Sequence, residues 1–592
     1  MKKNRILATV LSTCMILSTV GMASCSIGGG GTSSGTSSSG GGIDNVYNVP
    51  SDSKITIRVK NFGMGPGNLW LEETAERFAQ AKKDEKYGDK TGAYVKIEVT
   101  HNQNTGAMAS DATNIFFDER ASDPNALAQN GLLLNIDSIV KDETRTGGSL
   151  ESNLFDAAKG GIMGTDGSYY ALPHYEFFPG LVYNRKTFNS LNAYFAAEDE
   201  DNVYAYSGNY GSANFVGDAT AEKSVGPDGK SNTDDDGLPC SLDQFLILCD
   251  FIKTESDGDI APLTVSGKYY SYYPDYLLMG LWSSLAGPEQ MRNYYNCTGE
   301  IEVVERDANG NLQFTNENIF EGISYVKKPK TKMVTMKADG SEGWMGNDMA
   351  AKYYAIAMLD VIVNEGFFSD TASSEKDHWQ TQMDVYMDGK ASTNNSAMLV
   401  EGSYWYNEAG ENGGFASYTK YVDKDINNLD VAWMSLPTSV DTEGAVGRDA
   451  CFLDCGLAYT MINGNIKNNP DLMKACLDFV AFCYSEQELK NFTIKTGITR
   501  AIKYDLTATE RDSLSLYARR LWDARDNENG SNIVAWSGDS STFKKVKTTI
   551  KLDLNCGVLG NGSTKISGML NGGDHAATVF GKCSLFGNWK IY

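Results

Sequence analysis

Lys54-Ile-Thr-Ile-Arg-Val-Lys60 alternates apolar and polar residues, as a strand with one buried face does. A glycine-rich loop, Asn61–Gly67, follows. Leu71, Ala75, Phe78 and Ala79 then recur at helical spacing across Asn68–Lys83. Tyr94–Thr100 and Thr113–Phe117 read as two more strands, and Leu132–Ile139 as an amphipathic segment. Strand and helix in alternation predict an open α/β sheet, whose ligands sit at the carboxyl ends of its strands. Two loops fall there: one holds Asn61 and Phe62, the other Asp118, Glu119 and Arg120. The first nearly spells a dinucleotide fingerprint with Gly63, Gly65 and Gly67. Pro66 lacks a donor and Asn68 stands in the third glycine's place, so the match fails and no cofactor is required.

At 592 residues the chain exceeds one ordinary domain. Its formal net charge of −24 argues against nucleic acid as a partner, and against electrostatic docking on anionic lipid. Lys2, Lys3 and Arg5 precede an apolar run, Ile6–Val20, and then Met22-Ala-Ser-Cys25. That is the pattern of a secretory signal. The cysteine directly after small residues resembles a bacterial lipobox, although Met22 replaces the usual leucine. The resemblance implies a signal over 1–24 and a lipidated Cys25 opening a tether over 25–50. Ser26–Gly42 is almost entirely Gly, Ser and Thr, which behaves as flexible chain, and about 25 such residues reach about 27 Å. Of eleven cysteines, Cys14 leaves with the signal and Cys25 takes the lipid, so nine remain. Cys476 and Cys483 lie about 10 Å apart along one predicted helix, beyond disulfide reach, and buried free thiols are expected.

Tyr169–Phe188 reads YYALPHYEFFPGLVYNRKTF. Pro173 and Pro179 bias their neighbours toward extended backbone. Leu181-Val182-Tyr183 is β-prone, and a helix opens from Asn184. The segment is expected to leave a first lobe, pass a cleft and enter a second. Glu176 stands among Tyr175, Phe177 and Phe178, a mixture of rings and acceptor that suits a neutral polyol. The plain alternative is a crossover strand with an exposed acid. Asn232, Asp234, Asp236 and Asp243, with Gly237, fall at the spacing of an EF-hand calcium loop. Asn for the first Asp, Asp for the last Glu, and Pro239 depart from it. Ser241 with Gln244 as a capping box is the rival reading. Calcium there would be structural, and no catalytic role follows from either reading. Farther on, Ile301–Phe314 reads as a hairpin turning on Asp307–Gly310, Met349–Asn364 as a helix, and Ala397–Trp405 as a strand. Val431–Pro437 and Phe452–Ile462 are strands too, and Asn469-Pro470 opens a helix.

The order of these pieces resembles the family 1 extracellular solute-binding proteins, the maltose-binding-protein-like lipoproteins of carbohydrate ABC importers. The resemblance spans Ile55 to Tyr592. It rests on Asn114–Ile136, ALPHYEFFPGLVYNRKTF, DGLPCSLDQFLILCDFI, SAMLVEGSYWYNEA and FTIKTGITRAIKYDL. It implies a type II periplasmic-binding-protein-like α/β fold, with two hinge-linked lobes and a ligand cleft between them. One lobe would hold 51–178 plus 433–497, the other 179–432 plus 498–592. The crossings would lie near Leu172–Leu181, Val431–Pro437 and Thr496–Tyr504. The residues that carry over as ligand-binding are Asn61, Asp118, Glu119, Arg120, Tyr175, Glu176, Tyr404, Trp405 and Trp536. Trp282, after the tyrosine-dense stretch from Tyr269 to Tyr276, and Trp344 join them as candidates for ring stacking. The partners implied are a mono- or oligosaccharide, a membrane permease, and the membrane through the lipid anchor only. The chain would work as a monomer on the outer face of the cytoplasmic membrane. Two other functions stay open. A secreted glycosidase needs two carboxylates at a set separation, and 76 acidic residues leave room for such a pair. A surface polysaccharide-binding adhesin would be pulled down by insoluble glycan and gain no thermal stability from short sugars.

Overall fold

In the computed structural model the described residues are 45–101, 105–119, 123–269, 273–337, 343–373, 378–442, 450–456, 458–535, 569 and 573–583. A five-stranded and a four-stranded sheet dominate. Along the chain their strands are β1 (Ile55–Phe62), β2 (Ala93–Thr100), β3 (Ile115–Glu119), β4 (Ala171–Pro173) and β5 (Pro179–Asn184). Then come β6 (Ala261–Thr264), β7 (Ser396–Gly402), β8 (Val431–Met434) and β9 (Ala458–Ile462). The first sheet has the order β2-β1-β3-β9-β4 and the second β6-β7-β5-β8. β1 runs parallel to β2 and β3, while β9 is antiparallel to β3 and β4. In the second sheet β5 is antiparallel to β7 and β8, and β6 is parallel to β7.

Each sheet has its own core, which makes two lobes. In the first, Ile57 and Val59 of β1 pack with Trp70, Leu71 and Phe78 of helix α1 (Leu69–Ala81) and with residues farther along the chain. In the second, every residue of β5 and β7 is buried. On one side helix Tyr273–Asn296 packs on β5 and β7, and Leu181 and Tyr183 share a cluster with it and with helix α2 (Leu242–Glu255). On the other, Val182, Leu399 and Trp433 share a cluster with Tyr517 and with Trp405 of helix α3 (Trp405–Glu411). This two-sided burial explains why β5 and β7 read as apolar runs and not as alternation. The chain passes between the lobes after β4, again between β8 and β9, and a third time between helices Glu486–Thr496 and Leu516–Ala524.

Local signals set several boundaries. Asn469 caps helix α4 (Pro470–Cys483) by accepting from Leu472 N at 3.1 Å, with proline at the first position. Asn184 does the same for Arg185–Leu191, accepting from Thr187 N at 3.1 Å. Glu76 of α1 accepts the amides of Val46, Tyr47 and Asn48 at 2.7–3.0 Å. The Asn48 side chain pairs both ways with the Val95 backbone on edge strand β2. The segment before β1 is thereby seated on the first lobe and covers that edge.

Four elements differ from their sequence reading. The strand expected over Ala397–Trp405 ends at Gly402, and Trp405 opens α3. Phe452–Ile462 is split: Phe452–Asp454 pairs in parallel with Ile533–Ala535, and only β9 joins the first sheet. The turn at Asp307–Gly310 forms and closes a short hairpin, with Arg306 opposite Leu312 and Gln313 N donating to Glu305 O at 2.8 Å, but beyond it Glu300–Val304 pairs with Thr331–Thr335. Of Leu132–Ile139 only the end is helical, in Asp137–Val140. Within Leu191–Gly237 a hairpin, Val203–Gly208 with Gly211–Val216, lies on α2, and Phe215 stacks on Phe251 at 3.8 Å. Cys240, Cys249, Cys297, Cys451, Cys455, Cys476 and Cys483 are all free and buried. Among the described residues no helix is long and apolar enough to cross a membrane.

Candidate functional site

The first crossing, His174–Phe178, runs between the carboxyl ends of β3 and β7. His174 and Tyr175 turn to the first lobe, and Glu176 to the knot that joins the lobes. His174 is buried against Trp70 and Phe117. The Tyr175 hydroxyl donates to Glu119 at the end of β3. Glu176 turns the other way. Its Oε2 accepts from Thr499 Oγ1 at 2.5 Å and Arg525 Nε at 2.9 Å, and neither the carboxylate nor the guanidinium is exposed. Arg525 also donates to Arg500 O at 2.8 Å, and Arg500 Nε to His174 O at 2.8 Å. Asp454, from the second crossing, accepts from Phe177 N at 3.0 Å and Gly456 N at 2.8 Å. All three crossings are thus bound together around Glu176. It is an internal ion pair, not an open acceptor for hydroxyls.

Phe177 packs against the cores of both lobes and begins a run of rings. Tyr404 lies 5.1 Å from it and Tyr276 5.3 Å; Tyr273 is 4.9 Å beyond Tyr276, and Tyr269 6.1 Å beyond Tyr273. Phe177, Tyr276 and Tyr269 are half-buried and keep part of each ring open, whereas Tyr273 and Tyr404 are buried. His378 packs on Tyr273 at 4.6 Å, and its Nε2 stands 2.9 Å from the Tyr273 hydroxyl. Glu401, at the end of β7, accepts from Gln382 Nε2 at 2.7 Å and from its own neighbour's amide, Gly402 N, at 2.9 Å; His378 Nε2 is 3.2 Å away. Rings and carboxylates from strand ends of both lobes therefore meet at one crossing.

Several residues singled out from the sequence lie elsewhere. Trp405 is 1% exposed and is wedged among Tyr386, Phe415 and Tyr517 in the second lobe's core. Trp282 is equally buried, against Tyr294. Asn61 is buried beneath the β1–α1 loop and donates to Gly67 O at 2.9 Å. Arg120 and Trp536 lie outside the described residues, as do Cys25 and the side chain of Trp344, whose backbone belongs to the turn Gly343–Asp348. Phe177, Tyr276, His378, Gln382 and Glu401 were not singled out as site residues. The tyrosine-dense stretch before Trp282 was the signal for Tyr273 and Tyr276; it pointed at the tryptophan instead. Nothing local marks His378 or Glu401, which meet only through the fold.

The EF-hand-like residues do not converge. Asp234 pairs with Arg519 at 3.1 Å, Asp236 accepts from Asn232 N at 2.7 Å, and Asp243 stands in the first turn of α2. Burial and Asp441 push the Asp243 pKa up to about 6. Among the described residues no group of three or more His, Cys, Asp or Glu side chains is placed to hold a metal ion. The calcium reading rests on spacing alone. Ser241 does cap α2, accepting from Gln244 N at 3.2 Å, but Gln244 reaches past it to Cys240 N at 2.8 Å.

Asp118, beside Glu119 on β3, is fully buried and neither oxygen has a hydrogen-bond partner. Burial, and then the charge of Glu119, push its pKa up to about 8. Between pH about 4 and 8 the folded chain keeps a proton here that the unfolded chain has lost, so stability falls as pH rises through that window. Asp118→Asn is expected to flatten the slope and raise stability at pH 8 by about 1–3 kcal/mol. Urea unfolding at pH 5 and pH 8 reads this directly, and an unchanged slope would contradict it.

The fold and the strand-end site define a two-lobed α/β protein with its ring and acid cluster at the crossing. No protein-family model matches the chain, and no curated protein sequence does. Solved structures similar to it include a chitin oligosaccharide binding protein, at 15% identity and a TM-score of 0.49, covering 90% of this chain and 97% of that one. Another is the ABC-transporter binding protein BlMnBP1 from Bifidobacterium animalis subsp. lactis in complex with mannobiose, at 14% and 0.48, covering 90% and 93%. A third is the apo-form of RafE from Streptococcus pneumoniae, at 12% and 0.46, covering 90% and 100%.

Proposed function

We propose that this protein is a receptor that captures a sugar or oligosaccharide and passes it to the membrane permease of an ABC importer. A lipid on Cys25 would hold it, as a monomer, at the outer face of the cytoplasmic membrane. The observation that carries the binding reading is the run of rings from Tyr404 through Phe177 to Tyr276 and Tyr273, flanked by Glu119 and Glu401 where the lobes meet. The half-buried rings of Phe177 and Tyr276 would cover the C–H faces of a sugar and the half-buried Glu119 would take its hydroxyls, while the buried Glu401 holds Gln382 in place. Glu176 and Glu401 are engaged by arginine, threonine and glutamine. Those partners suit positioning.

Thermal unfolding against a panel of mono- and oligosaccharides tests the reading. A ligand at 100 times its Kd is expected to stabilise the chain by about 2.7 kcal/mol. Phe177→Ala and Tyr276→Ala should each weaken that ligand about tenfold, a loss of about 1.4 kcal/mol. A panel in which no saccharide stabilises the wild type would sink the proposal, and turnover of an oligosaccharide would replace it with the glycosidase reading.

A further inference from the structure

The β1–α1 loop of the first lobe touches α3 of the second through polar groups only at named points. Asn407 Nδ2 donates to Gly65 O at 2.9 Å, and Glu411, one helical turn later, accepts from Asn68 N at 2.9 Å. Asn412 Nδ2 lies 3.9 Å from Met64 Sδ. Burial pushes the Glu411 pKa up, and the amides of Asn68 and Leu69 at the start of α1, with the dipole of a thirteen-residue helix, oppose that shift. The loop is shaped for this contact. Gly67 has φ +70°, and a Cβ there would stand 2.0 Å from Glu411 Oε2. Gly65 has φ +59°, and its Cβ would meet the Tyr175 hydroxyl at 2.9 Å. From below, Asn61 holds the loop through Gly67 O.

The geometry points to a latch: Asn407 and Glu411 of α3 clasp the Gly65–Asn68 loop across the rim of the cleft, and the strength of that clasp sets the share of molecules standing closed. Every bond in it joins one lobe to the other, so each is made only when the lobes are together. None belongs to the core of either lobe, so losing the latch leaves both cores packed. A ligand that requires the closed form then binds more weakly in proportion to the lost closed fraction. The latch rests on the two-lobed architecture; only its effect on affinity rests on the saccharide reading.

Small-angle scattering and hydrogen exchange on the full chain test it with Glu411→Gln and Gly67→Ala. Glu411→Gln keeps shape and removes charge, and so serves if the glycine variant folds poorly. Both variants are expected to show a larger radius of gyration and about tenfold faster exchange at the Asn68 amide. Exchange within the β1–β2 pairing should stay as in wild type. For any saccharide that stabilises the wild type, Kd should rise in the same proportion. A radius of gyration unchanged in both variants overturns the latch. If the variants open yet no saccharide stabilises even the wild type, the latch holds and the ligand reading falls.

Discussion

Glu176→Gln is expected to lower the free energy of unfolding by about 3–5 kcal/mol, because it strands a buried guanidinium. The carboxylate and Arg525 are both fully buried and 2.9 Å apart. Glutamine preserves the shape and the Thr499 contact but supplies no charge. Arg525 would keep Asn527 Oδ1 at 2.6 Å and Arg500 O at 2.8 Å, neutral acceptors that do not replace an anion. The double variant Glu176→Leu with Arg525→Met should recover much of the loss, since a buried pair replaced by apolar groups of similar size is often neutral. Urea unfolding of the two variants beside wild type decides it. A single variant as stable as wild type would mean that the pair does not hold the crossings together. Glu176 stands where all three chain crossings meet, so its loss is also expected to loosen the lobes relative to each other.

Trp405→Ala is expected to cost about 3–5 kcal/mol, the usual loss for a large ring removed from a packed core. Tyr386, Phe415 and Tyr517 surround the indole at centroid distances of 6.2, 5.8 and 6.1 Å, and it joins α3 to the face of β5 and β7. Circular dichroism during thermal unfolding of the variant, without any ligand, reads the effect. A variant that melts like wild type yet no longer responds to a saccharide would return Trp405 to the binding surface. The same experiment on Phe177→Ala should give the opposite pattern, with little loss of stability and a weakened response.

The elements that the sequence made legible are those written in short-range chemistry. β1 declares itself by alternation, α1 by its apolar stripe, and α4 by Asn469 and Pro470. The aromatic character of the crossing was legible too, as was the grouping of Asp118 and Glu119 at a strand end. Direction was not. The local pattern turns Glu176 toward a ligand, but its partner Arg525 is 349 residues away and nothing nearby in the chain announces it. Trp405 was read as a strand-end ring because the turn after Gly402, which carries it into α3, depends on Ser403 accepting from Phe178 N.

Periodicity and capping act over a few residues, so the chain alone determined where elements such as β1, α1 and α4 begin, which of their faces are apolar, and that an α/β architecture results. Which lobe each strand joins, which rings stay half open and which acids find an arginine were decided only by packing. Those outcomes depend on contacts hundreds of residues apart, and their free energy exists only once both sheets and the three crossings are in place.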